Sequence, residues 1–186
     1  MPNRQQEIMN ATLTLVSEQG LLATSISQIA KRAKAGPGII YHYFASKDEI
    51  MHSLYISIFT ELMDALLDNA LLERPCLERL KTIWMRRFYF HINNPAKAKF
   101  IEQYKNSAYF TPAQEQLTNE LLADLASMIA NDINRGDIKP LPLRVVHAMT
   151  LGVADNIAKL QIAGSVDLQE NELNAIAELT SLSVLN

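Results

Sequence analysis

One cysteine, Cys76, stands alone in 186 residues. No disulfide can close within the chain, and no Cys-x-x-Cys pair is there to hold a metal or run redox chemistry. A buried packing role is the simple reading of the thiol. Long apolar runs are missing too: none approaches the roughly 18 residues of a membrane span. The opening MPNRQQEIMN lacks the apolar core of a signal peptide. The expectation is a cytoplasmic protein without a membrane partner. The four histidines, His42, His52, His91 and His147, form no His-x-x-x-His pair. Neither a nucleophile elbow nor a phosphate-cradling glycine loop occurs. An enzyme is therefore set aside, and no catalytic residue, metal or cofactor is expected. Sustained period-two alternation, the mark of half-buried strands, is also absent.

What is present is apolar content of 48%, enough for a core, with apolar residues recurring at three and four positions. The chain reads as all-α. Ile8, Ala11, Thr12, Leu15 and Val16 share the face of a helix from about Arg4 to Gln19, stopped by Gly20. Ser25 is a cap for a helix of about eight residues, which Gly36-Pro37 interrupts. Pro37 suits the first position of a third helix, reaching Tyr43. Ser46-Lys47-Asp48-Glu49 is a capping box, with the serine accepting from the Glu49 N–H and the glutamate reaching back to the serine N–H. It opens a long fourth helix ending near Leu72. Prolines and glycine then bound five more: Cys76 to Ile92, Pro95 to Ser107, Pro112 to Arg135, Pro142 to Ile162 and Leu168 to Val184. Nine helices are predicted, with no internal repeat.

The net charge of −3 does not advertise a nucleic-acid partner, but its distribution is uneven. Residues 1–47 carry Arg4, Lys31, Arg32, Lys34 and Lys47 against Glu7 and Glu18, and the remainder is acidic. Within that basic head, two short helices joined by a tight turn and backed by a longer one make a helix-turn-helix. Its second member can enter a major groove about 12 Å wide. Tyr41 and His42 can bond phosphate oxygens, and Lys47 adds a charge. Gly38 lets backbone approach DNA, while Pro37 or Ile39 can touch thymine methyls. Ile40 and Phe44 read as the apolar plug that seats the helix.

These residues carry a family resemblance. Thr24 to Met51, TSISQIAKRAKAGPGIIYHYFASKDEIM, resembles the DNA-binding segment of the TetR family of bacterial transcriptional regulators, in Ile29-Ala30, Gly38, Tyr41, Tyr43-Phe44 and Lys47. The resemblance implies a helix-turn-helix domain at 1–47 and an effector-binding and dimerisation domain at 48–186. It further implies a homodimer that reads a double-stranded operator and is released by a small-molecule effector. Carried over by position, Ser25, Ser27 and Gln28 belong to the start of the second helix and its contacts. Pro37, Gly38 and Ile39 face bases, and Tyr41, His42 and Lys47 face phosphates. Lys34 stands where the family usually has a turn glycine, so either a left-handed backbone there costs about 1 kcal/mol or the turn is built differently. Ile39 and Gly36-Pro37 replace polar residues, which leaves methyl contacts and DNA shape a larger share of recognition.

The body offers only compatible signs. Trp84, Met85, Phe88, Tyr89, Phe100, Tyr104 and Phe110 gather most of its rings. Trp84, Phe88, Phe100, Tyr104 and Asn156 are the candidate effector-pocket residues, with plain core as the competing role. Asp155-Asn156 is a polar intrusion into an apolar helix. Ala148, Gly152, Ala154, Ala158 and Ala163, with Leu173, Ile176, Ala177, Leu179 and Thr180, suit either a four-helix dimer face or intramolecular core. A helical adaptor that binds proteins and not DNA is the alternative function, and it leaves the Tyr-His-Tyr cluster unexplained.

Overall fold

The computed structural model describes residues 4–186. Twelve helical segments run through them. They are α1 (Arg4–Gln19), α2 (Ile26–Arg32), α3 (Pro37–Tyr43), α4 (Lys47–Leu66), α5 (Asn69–Leu72), α6 (Cys76–Asn93), α7 (Pro95–Lys105), α8 (Pro112–Leu121), α9 (Ala123–Arg135), α10 (Leu143–Met149), α11 (Leu151–Ile162) and α12 (Glu170–Leu182). Among the described residues, β pairing amounts to an isolated bridge between Ile138 and Leu185.

The all-α class holds, but the count of nine does not. Three of the nine expected helices are interrupted, giving twelve segments, or eleven helices if α10 and α11, parted by Thr150 alone, count as one. Each break has a local setting. Asp68 turns extended (φ −147°, ψ 164°) and its carboxylate caps the Leu71 N–H at 2.8 Å, so α5 starts afresh after α4. Thr150 leaves helical geometry (φ −115°, ψ −86°) while its hydroxyl donates back to the Val146 carbonyl at 2.8 Å, a bond that bends helices. Leu122 parts α8 from α9 with no proline, glycine or capping bond. There the chain has just crossed from one compact unit to the other, at Asn119–Glu120.

The first of these units runs to Thr60 and takes in Ala96–Asn119; the second comprises Glu61–Pro95 and Glu120–Asn186. In the first, Ile8, Val16, Ile29, Ile40, Phe44, Ile50 and Leu54 are buried. An aromatic stack joins α4 to α7, with the Tyr55 and Tyr104 rings 4.2 Å apart and 14° from parallel. Burial, with the neighbouring Tyr55, pushes the Tyr104 phenol well above the usual tyrosine range. Its oxygen lies 2.6 Å from His52 Nδ1.

In the second unit Trp84 and Phe88 of α6 stack at 5.8 Å and bury against Ala154 and Ala158 of α11 and Leu173 and Ala177 of α12. Small residues on α11 are what let two helices pack on one face of α6. These four residues of the expected dimer face therefore lie in intramolecular core, whereas Ala148 and Ala163 are exposed. Asp155 is occupied within the chain too. Arg87 donates to its carboxylate through Nε at 2.6 Å and through a second nitrogen at 2.8 Å, and His91 Nε2 lies 2.9 Å away. A second ion cluster places the buried Asp132 between Arg79 and Arg135. Cys76 borders it with Sγ 3.6 Å from Asp132, and burial beside that carboxylate pushes its thiol up to about 11.

Candidate nucleic-acid interface

The recognition segment is framed by its caps. Ser25 adopts extended geometry (φ −112°, ψ 158°) at the head of α2. Its hydroxyl accepts from the Gln28 N–H at 3.4 Å, while its own N–H donates to Gln28 Oε1 at 2.8 Å. That is a capping box with glutamine as the returning partner. Gln19 Nε2 also donates to Gln28 Oε1, at 3.1 Å. Ser25 and Gln28 are thus tied into the start of α2, and Ser27 joins through a 3.0 Å hydroxyl contact to Ser25.

At its other end α2 closes with the Ala35 N–H on the Ala30 carbonyl (2.9 Å) and the Lys34 N–H on the Lys31 carbonyl (3.2 Å). This Schellman pattern needs a left-handed residue between, and Lys34 supplies it at φ +50°. Among the described residues it is the one non-glycine with positive φ. Of the two alternatives open for Lys34, the strained one is the one adopted.

Gly36 is extended (φ −68°, ψ 153°) and hands the chain to Pro37 at the start of α3. Exposure along α3 then sorts by helical face. Ile40 and Phe44 are buried, while Pro37, Gly38, Ile39, Tyr41, His42 and Tyr43 are exposed, Tyr41 by 57%. Beyond the adjoining backbone of α3 itself, no atom lies within 4 Å of where a Cβ on Gly38 would sit, so that face is open to solvent. The His42 and Tyr43 rings meet edge to face at 5.0 Å.

Around α3, Lys31, Arg32 and Lys34 are exposed, and Arg32 forks onto Glu18 at 3.1 and 2.5 Å, tying α2 to α1. The box at Ser46 forms with one change. Ser46 Oγ accepts from the Glu49 N–H at 3.1 Å, but Glu49 accepts from the Ala45 N–H and not the serine's. The last backbone bond of α3 ends on the Phe44 N–H, so Ala45 is the next amide in need of a partner. Lys47 is half-buried; its Nζ donates to the Leu21 carbonyl at 3.2 Å and lies 5.9 Å from the Tyr109 ring centre.

Two family models match this chain: bacterial regulatory proteins of the tetR family over residues 8–54, and a tetracyclin repressor-like C-terminal domain over residues 75–184. The chain belongs to the TetR family. An uncharacterised helix-turn-helix transcriptional regulator of Haemophilus influenzae is 28% identical over 114 residues, and the chain spans 61% of that relative's length. The fold matches a TetR-family transcription regulator of Marinobacter aquaeolei at a TM-score of 0.90, 21% identity and coverage of 98% and 96% of the two chains. It also matches the Bacillus subtilis regulator FadR in complex with stearoyl-CoA, at 0.74, 22% identity and 97% of each chain.

The positions expected to line a pocket in a TetR-family body are divided between the two compact units. Trp84 and Phe88 are buried in the second unit, Phe100 and Tyr104 in the first, and Asn156 is exposed. The second unit instead carries an open cleft of about 650 Å³, lined by Met85, Arg86 and Tyr89 of α6 and Glu170 and Asn174 of α12, among others. Met85 and Tyr89 are one residue on from Trp84 and Phe88. The 100° step of a helix turns Tyr89 out to the cleft and leaves Met85, which also packs on the core, at its edge.

Proposed function

We propose that this protein is a sequence-specific DNA-binding transcriptional regulator, a dimeric repressor released from its operator by a small hydrophobic or aromatic effector. The observation that carries the reading is the division of α3: Ile40 and Phe44 seat the helix, and its remaining side chains face outward. In this reading residues 1–47 are the DNA-reading domain and 48–186 the effector and dimerisation domain. Pro37, Gly38 and Ile39 lie against base edges. Tyr41, His42, Ser25 and Ser27 bond phosphates, and Gln28 adds a side-chain amide. Lys47, with one ammonium proton on Leu21, keeps others for phosphate.

The candidate effector-binding residues are Trp84, Phe88 and Asn156 of the second unit and Phe100 and Tyr104 of the first, and the buried rings among them become accessible only if their packing opens. FadR of the same fold is in complex with stearoyl-CoA, whose acyl tail is an apolar chain of the kind such rings accept. The test is fluorescence anisotropy with duplex DNA flanking the protein's own gene, across a salt series. Tyr41→Ala with Lys47→Ala is expected to weaken binding by about tenfold or more and to lower the salt slope by about one. Binding indifferent to both changes overturns the contact assignment. Wild-type protein without salt-dependent binding overturns DNA reading itself.

A further inference from the structure

We infer that Gln103 of α7 is a positioning residue for DNA reading, fixing the α1–α2 turn from behind; this rests on the DNA-binding reading above. The turn, Gly20 to Ser25, sets the angle at which α2, and through it α3, leaves α1. Some of its polar backbone is satisfied locally. Thr24 Oγ1 donates to the Gly20 carbonyl at 2.9 Å, and Gln19 Nε2 to the Ala23 carbonyl at 3.1 Å. Leu21, which is buried, is not served by its neighbours. Its N–H donates to Gln103 Oε1 at 3.1 Å, across 82 positions of sequence, and its carbonyl accepts from Lys47 Nζ at 3.2 Å. A buried N–H needs a partner, and here one amide side chain supplies it.

Two further observations bring α7 to the same place. Lys99 Nζ donates to the Ser17 carbonyl at 2.8 Å, within the last turn of α1. A Cβ on Gly20, at φ +89°, would lie 4.0 Å from Gln103 Oε1, so the amide sits directly against the turn. Residues 96–119 also belong to the same compact unit as α1, α2 and α3. α7 therefore packs within the same compact unit as the helix-turn-helix, and Gln103 and Lys47 hold the two polar backbone atoms of Leu21 between them. Loss of the Gln103 acceptor frees the turn and lets the α2–α3 pair sample angles that do not match the groove.

The experiment compares the full-length wild type with Gln103→Leu, which keeps the bulk and removes the acceptor, and Gln103→Glu, which keeps an acceptor. Two quantities are read: affinity for duplex DNA flanking the protein's own gene, and hydrogen exchange at the Leu21 amide. Gln103→Leu is expected to weaken binding by about five- to tenfold and to speed Leu21 exchange, and Gln103→Glu to restore both to within about twofold. Gln103→Asn withdraws the carbonyl by one methylene and is expected to follow Gln103→Leu; it replaces that variant if Gln103→Leu does not fold. Faster Leu21 exchange with unchanged DNA affinity overturns the positioning role, as does weakened binding that Gln103→Glu fails to restore. Wild type that does not bind DNA removes the reading beneath it, and is seen before any variant is compared.

Discussion

Asp155 is a residue whose chemistry is set by its surroundings. Burial alone would raise its carboxyl, but Arg87 and His91 together hold it well below the usual carboxylate range. A carboxyl lowered on folding contributes stability that is complete above its unfolded value, about 4, and is lost as pH falls below that toward the folded value. Asp155→Asn keeps the shape and leaves the buried Arg87 guanidinium without its counter-charge. The expected cost in urea unfolding at pH 7 is about 2–3 kcal/mol, discounted from a fully buried pair because a third of the Asp155 side chain remains open to water. At pH 3 the gap between wild type and variant is expected to shrink by about 1 kcal/mol. A gap that stays constant from pH 7 to pH 3 contradicts the assignment of the lowered carboxyl to this residue.

At the scale of elements, α2 shows both what can be read from sequence and what cannot. Its start was legible because serine at a cap has a local chemical cause, and its end because Gly36-Pro37 cannot continue it. The left-handed closure at Lys34 was legible only as one of two alternatives, and only through the family resemblance, since a lysine at that position hides the signal that glycine gives. Lys34→Gly relieves that backbone and is expected to stabilise the protein by about 0.5–1 kcal/mol, after the greater chain entropy of glycine is set against the strain removed. The readout is a higher melting midpoint in the absence of DNA; a midpoint unchanged or lowered contradicts strain at this turn.

The same contrast runs along the rest of the chain. The seating of α3 was legible because Ile40 within it and Phe44, the residue that caps its C-terminal end, are large apolar residues four apart. The breaks at Thr150 and Leu122 were not, because neither residue is a helix stop. Threonine back-bonding is local but also occurs within unbroken helices, as at Thr12 in α1, and a change of compact unit is a tertiary event. The inward face of α6 was only half legible. Rings at Trp84, Phe88 and Tyr89 look alike in sequence, and only the alanines of α11 decide that the first two are core. Gln103 left no signal at all, because its partner is a backbone amide, which every residue but proline carries.

At the scale of the whole molecule, the remaining issue is what covers the apolar side chains that no part of the chain buries. With Ala154, Ala158, Leu173 and Ala177 packed on α6, the apolar surface left on α11 and α12 is Leu160, Ile162, Leu179 and Leu182. Leu179 is 67% exposed and Leu182 46%, on consecutive turns of α12. A second copy of the chain, bringing the same face across a two-fold axis, would bury them in an isologous interface. Because these side chains contribute little to the fold of one chain, charges there test association without unfolding the protein. Leu179→Glu with Leu182→Glu is expected to leave helical circular dichroism unchanged and to convert dimer to monomer in sedimentation velocity at low micromolar concentration. With one head per particle, affinity for a two-half-site operator is then expected to fall by about a hundredfold or more, because linkage of the two heads is lost. A dimer that survives both charges places the interface on another face, and an affinity unmoved in a proven monomer removes the need for paired half-sites.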